Sequence, residues 1–200
     1  MRRSVLLATF AATLATTLAT TFATSTLLSA GLLVAPSVAG AQVAPKTGFR
    51  AEYLAALADD EKKLVQLAEA TPADKYTWRP GKGVRSISEV YLHVAEDNFV
   101  IPAALGVRSP VAMIKNFDTQ TTDKASVIAI LKQSLDAARQ AALTVKDADL
   151  DKEVALYGTK FTQRGALLSM INHISEHLGQ SIAYARMNNI VPPWSAKSGM

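Results

Sequence analysis

Four stretches of this chain carry apolar residues at spacings of three and four, and proline, glycine or polar clusters separate them. Such spacing places the apolar side chains along one face of an α-helix. The helices predicted in this way cover residues 47–70, 86–105, 122–144 and 163–189. Four amphipathic helices without convincing strands predict an all-α fold, a four-helix bundle with a long crossover connection.

The segments between these helices are predicted to be loops. Residues 73–85 and 106–121 contain the proline, glycine and polar residues typical of loops. Residues 145–162 are predicted to be an irregular connection, in which VALYG gives only a weak indication of a short extended piece. Ser86 and Glu89 form a capping-box pattern at the start of the second helix. Pro192 and Pro193 exclude a continuation of the fourth helix beyond its end.

The first 41 residues differ in composition from the rest of the chain. Arg2 and Arg3 are followed by no charged residue up to Ala41, where small residues fit the site that a signal peptidase reads. This layout predicts an N-terminal signal peptide over residues 1–41, a mature domain over residues 42–200, and a periplasmic or secreted protein. An uncleaved anchor is the alternative, because about 18 consecutive apolar residues can span a bilayer. After cleavage, no stable membrane association is expected.

Charge and cysteine content exclude several classes of function. Without Arg2 and Arg3 the chain has 19 basic and 17 acidic side chains, and the basic ones are scattered among the acids. We therefore expect no nucleic-acid partner, because nucleic-acid binding requires a basic stripe or patch. The chain has no cysteine, which excludes disulfides, thiolate metal sites and a cysteine nucleophile. Any bound metal must be held by histidine and carboxylate side chains.

The three histidines of the chain are the candidate metal ligands. His173 and His177 are four residues apart, which places both on one face of the fourth helix, and His93 lies in the second helix. If the three converge, they could hold one divalent ion and leave positions free for water or substrate, which is the layout of a catalytic site. The alternative is a non-catalytic bundle that binds a ligand or partner and whose buried histidines are metal-free and hydrogen-bonded.

Further residues near the histidines are candidates for orienting the imidazoles. A carboxylate or carbonyl that accepts the far N–H of an imidazole fixes the tautomer of that ring. The candidates for this supporting role are Glu89, Asp97, Asn172 and Tyr184. For each, an ordinary place on the solvated helix surface is the alternative. Glu176 points about 100° away from His177 on the helix and is predicted to be solvated.

Two segments of the chain together resemble the DinB family, the DinB/YfiT-like superfamily of small bacterial four-helix proteins. WRPGKGVRSISEVYLHVAEDNF is similar to the family's loop and second helix, and INHISEHLGQSIAYARMNNIVPPWS is similar to its last helix with the HxxxH motif. The resemblance covers residues 50–195 and implies that His93, His173 and His177 are the family's ligands for a divalent metal ion, zinc or nickel.

The resemblance also implies a range of activities. Characterised relatives include thiol-dependent S-transferases and a thiol-dependent maleylpyruvate isomerase. We therefore expect an exported metal-dependent hydrolase or transferase that acts on a small-molecule substrate. A homodimer is compatible with the sequence.

Overall fold

The structure, a computed structural model, describes residues 43–196. Its four long helices are α1 (Phe49–Ala70), α2 (Ile87–Ala104), α3 (Lys124–Thr144) and α4 (Gln163–Met187). These bounds confirm the predicted helices to within two residues at each end. Helices α1 and α2 each pack against both α3 and α4. Consecutive helices α1 and α2 therefore lie diagonally across the bundle, and residues 71–86 form the connection between them.

The apolar faces of the four helices meet in one core. Each helix contributes at least one leucine with no exposed surface, namely Leu64, Leu92, Leu131 and Leu167. Full burial of one such side chain stabilises the folded state by about 1.5–3 kcal/mol relative to leaving it in water. This burial fixes which face of each helix points inward, and so fixes where the histidines of α2 and α4 point.

The start of α2 is fastened by the predicted capping box. The Ser86 side chain accepts a hydrogen bond from the backbone N–H of Glu89, and the Glu89 carboxylate accepts one from the N–H of Ser86 at 2.8 Å. The backbone N–H of Ile87 donates to the Trp78 carbonyl at 3.0 Å, and that of Ser88 donates to the Tyr76 carbonyl at 2.9 Å. These bonds fix the position of α2 along the bundle. Pro102 lies in the last turn of the helix.

The connection before α4 contains a β-hairpin that the sequence indicated only weakly. Strands β1 (Glu153–Leu156) and β2 (Thr159–Thr162) pair antiparallel, with Leu156 opposite Thr159. Tyr157 and Gly158 form the two-residue turn, with φ of 52° and 73°, and positive φ at both positions is what a type I′ turn requires. Strand β1 packs against α2 and α4. The fold is thus mainly helical with a small sheet, which corrects the all-α prediction.

Helix α4 ends at Met187, and the chain changes direction there. Asn189 adopts a left-handed conformation with φ of 60°, and a short helix α5 (Pro193–Ala196) follows. The fourth helix therefore stops before the prolines, as predicted, although a new turn of helix begins at Pro193. Within residues 43–196, no helix combines the length and the apolar character that crossing a bilayer requires. The predicted signal peptide and its cleavage before Gln42 lie outside the described residues.

Two adjacent leucines on α4 allow a test of this packing. Leu167 has no exposed surface, whereas Leu168 is 43% exposed. We expect Leu167→Ala to lower the free energy of unfolding by about 3 kcal/mol, because it leaves a cavity in the core. The matched change Leu168→Ala is expected to cost less than about 1 kcal/mol. Urea denaturation of the two variants measures both values, and equal losses would contradict the assigned inward face of α4.

Candidate metal centre

The structure brings the three predicted histidines together between α2 and α4. Helix α2 supplies His93, and α4 supplies His173 and His177, one helical turn apart. One ring nitrogen from each residue lies within 4.8 Å of the other two. The ring centroids are 4.5–4.9 Å apart, with the ring planes 78–84° to one another. The packing of α2 on α4 therefore brings three imidazoles to a common point.

The spacing of the nitrogens fits a single divalent ion. Nε2 of His93 lies 3.1 Å from Nε2 of His173. Two nitrogens bound to one zinc ion at its usual bond length lie about 3.0–3.4 Å apart at coordination angles of 90–110°. The side chains of His93 and His173 are 19% and 16% exposed, and His177 is 8% exposed. The cluster is therefore sheltered, although none of the three side chains is completely buried.

His177 is oriented by a hydrogen-bonded chain along its own helix. Oε1 of Gln180 lies 2.7 Å from Nδ1 of His177, and because this oxygen can only accept, Nδ1 must carry the proton. The Gln180 amide in turn donates to the Tyr184 hydroxyl at 2.9 Å, and the Tyr184 ring packs edge-on against Trp78. This tautomer leaves the Nε2 lone pair of His177 free for a metal ion.

The four supporting candidates have different outcomes. The Tyr184 hydroxyl accepts a hydrogen bond from Gln180, which in turn contacts His177. We did not predict Gln180 for this role, although its position three residues after His177 could have suggested it. Asp97 lies beside the cluster, with Oδ2 at 3.2 Å from Nε2 of His173. That nitrogen also faces His93, so Asp97 is on the metal-facing side of the ring rather than at its far N–H.

Glu89 and Asn172 do not take the predicted role. The Glu89 carboxylate is used by the capping box and by Arg79, which donates to it at 2.7 Å. The Asn172 side chain is exposed on the outer face of α4. The far nitrogens, Nδ1 of His93 and of His173, are buried without a hydrogen-bond partner. A Glu96 oxygen lies 4.0 Å from Nδ1 of His93.

Burial and the positive charge of Arg85 favour the neutral forms of His93 and His173 by lowering the pKa of each ring. Burial, helped by the positive charge of Arg85 and by the other two histidines, lowers the pKa of His93 to about 4. Burial also lowers the pKa of His173, against the opposing effect of Asp97. Neutral imidazole is the form that binds metal ions. At neutral pH the site is therefore ready for a cation without first losing a proton.

Other ionisable groups surround the histidines. Arg85 contacts Asp118 at 3.1 Å. Burial, together with the charges of Asp118 and Asp97, raises the pKa of Glu96. Burial and a hydrogen bond to Asp97 raise the pKa of Tyr157, at the tip of the hairpin. The neighbourhood of the histidines thus carries both signs of charge, contributed by α2 and by the connections on either side of it.

The lowered pKa of His93 predicts acid sensitivity of the metal-free protein. In the unfolded chain His93 has the ordinary histidine pKa near 6.5, whereas in the folded chain its pKa is about 4. Between these two pH values the unfolded chain binds more protons than the folded chain. Stability contributed by His93 is therefore complete above about pH 6.5 and is lost as the pH falls toward 4. We expect His93→Gln, which cannot titrate, to reduce the loss of unfolding free energy between pH 7 and 5 by about 1–2 kcal/mol. Urea denaturation in the presence of a chelator measures this, and identical pH dependence in both proteins would contradict it.

Comparisons with known proteins agree with this architecture. Crystal structures of two DinB-like proteins share the fold: one from Bacillus cereus ATCC 10987, at 17% identity and a TM-score of 0.61, and one from Bacillus subtilis, at 20% identity and a TM-score of 0.54. Each alignment covers 70% of this chain and 93% of the other protein. No curated protein matches the sequence. Residues 56–181, which include all three histidines, match the DinB superfamily profile. The chain belongs to the DinB superfamily.

Proposed function

We propose that this chain is an exported metal-dependent hydrolase or transferase, in which His93, His173 and His177 hold one divalent ion, zinc or nickel. The observation that carries the proposal is the convergence of three imidazoles, two of them with Nε2 atoms 3.1 Å apart. Three imidazole donors that leave positions open are typical of catalytic metal sites. Export is supported by the composition of the first 41 residues.

The surroundings of the histidines support a catalytic role. A divalent ion held there supplies Lewis-acid chemistry, because it lowers the pKa of water and polarises a substrate carbonyl. Gln180 fixes the tautomer of His177, and burial keeps His93 uncharged. These contacts hold the rings in one arrangement before a cation arrives, so little ordering remains to be done on binding.

The substrate is proposed to be a small molecule that carries polar groups. The histidines are sheltered between two helices, and the charges that act on this region are of both signs, from Arg85, Glu96 and Asp118. A large folded partner could not bring a reacting group to side chains that are less than a fifth exposed. The mixed charges favour a substrate with its own charged or hydrogen-bonding groups.

Metal content tests the proposal directly. We expect the purified protein to contain about one equivalent of divalent metal by elemental analysis, and His93→Ala and His173→Ala to lose most of it, because each removes a donor. Asn172→Ala is the matched control, since it changes an exposed residue next to His173 on the same helix. Equal metal content in all four proteins would reject the site.

A second candidate function is a metal-free bundle that binds a ligand or partner without catalysis. The 3.1 Å separation of the two Nε2 atoms favours it, since one ring could donate a hydrogen bond to the other. Thermal melting separates the two functions. Metal at 100 times its dissociation constant adds about 2.7 kcal/mol, so a chelator should lower the Tm by roughly 5–10 °C. An unchanged Tm would support the metal-free bundle.

A further inference from the structure

We infer that Asp97 is a fourth protein ligand at the metal centre. This inference rests on the proposed function, because it concerns the cation held by the histidines. It changes the predicted role of Asp97 from support behind a ring to direct contact with the ion.

The first argument is the arrangement of donors on the two helices. His93 and Asp97 are four residues apart on α2, as His173 and His177 are on α4, so each helix presents two donors one turn apart. Oδ2 of Asp97 lies 3.2 Å from Nε2 of His173. This is within the spacing of about 3.0–3.4 Å expected for neighbouring donors around one ion. The carboxylate approaches the cluster from the His173 side.

The second argument is charge. Three neutral imidazoles leave the two positive charges of a bound ion uncompensated in a sheltered site, and such a charge is costly unless an anion accompanies it. Arg85 adds a further positive charge near His93 and His173. Glu96 faces the far nitrogen of His93 at 4.0 Å. Asp97 is the carboxylate that contacts a metal-facing nitrogen of the cluster.

Metal affinity and the spectrum of a probe ion test the role of Asp97. The full protein is titrated with Co²⁺ against a chromophoric chelator, and its visible absorption is recorded. We expect Asp97→Asn to weaken binding by about 10–100-fold and to shift the absorption bands, because a charged donor is lost. Glu176→Gln is the control, since it removes the same charge from an exposed residue whose field also reaches His173. It should change affinity by less than about 3-fold.

The outcomes separate this inference from the proposed function. Wild-type protein that binds no Co²⁺ would overturn both. Wild-type protein that binds Co²⁺, with Asp97→Asn matching its affinity and spectrum, would overturn the role of Asp97 and leave the three-histidine site intact.

Discussion

The packing of α2 on α4 is the constraint on which the site depends. The 3.1 Å separation between imidazoles of the two helices survives only in one register, because a slip of a single turn moves side chains about 5.4 Å along the axis. Three features hold that register. The capping box fixes the start of α2, Thr162 caps the start of α4 through its bond to Gly165, and the leucine core fixes the rotation of both helices.

Burial of the histidines costs free energy, and it also keeps His93 in the form that binds metal ions. A sheltered imidazole resists protonation, so His93 stays neutral well below the pH at which an exposed histidine would become charged. The far nitrogens of His93 and His173 nevertheless lack hydrogen-bond partners, which is expensive in a low-dielectric environment. A cation between the rings would use the facing Nε2 lone pairs and would not itself satisfy the two Nδ1 atoms.

The sequence predicted the parts of the molecule that depend on local periodicity. The helices follow from apolar spacing, and the pairing of His173 with His177 follows from the helical repeat. The hairpin was indicated only weakly because strands of four residues are too short to show alternation. Glu89 and Asp97 are both four residues from His93, so spacing alone could not separate them. Glu89 accepts hydrogen bonds in the capping box and from Arg79, so it is not available to His93. Asp97 contacts His173 because α4 packs against α2, and sequence spacing does not reveal that packing.

The hairpin is joined without a spacer to α4, the helix that carries His173 and His177. Thr162 is both the last residue of β2 and the cap of α4, so the turn at Tyr157 and Gly158 is a stiff extension of the helix that carries two histidines. Because no spacer separates β2 from α4, a change in the pairing of the two strands is transmitted directly to the start of the helix that carries His173 and His177.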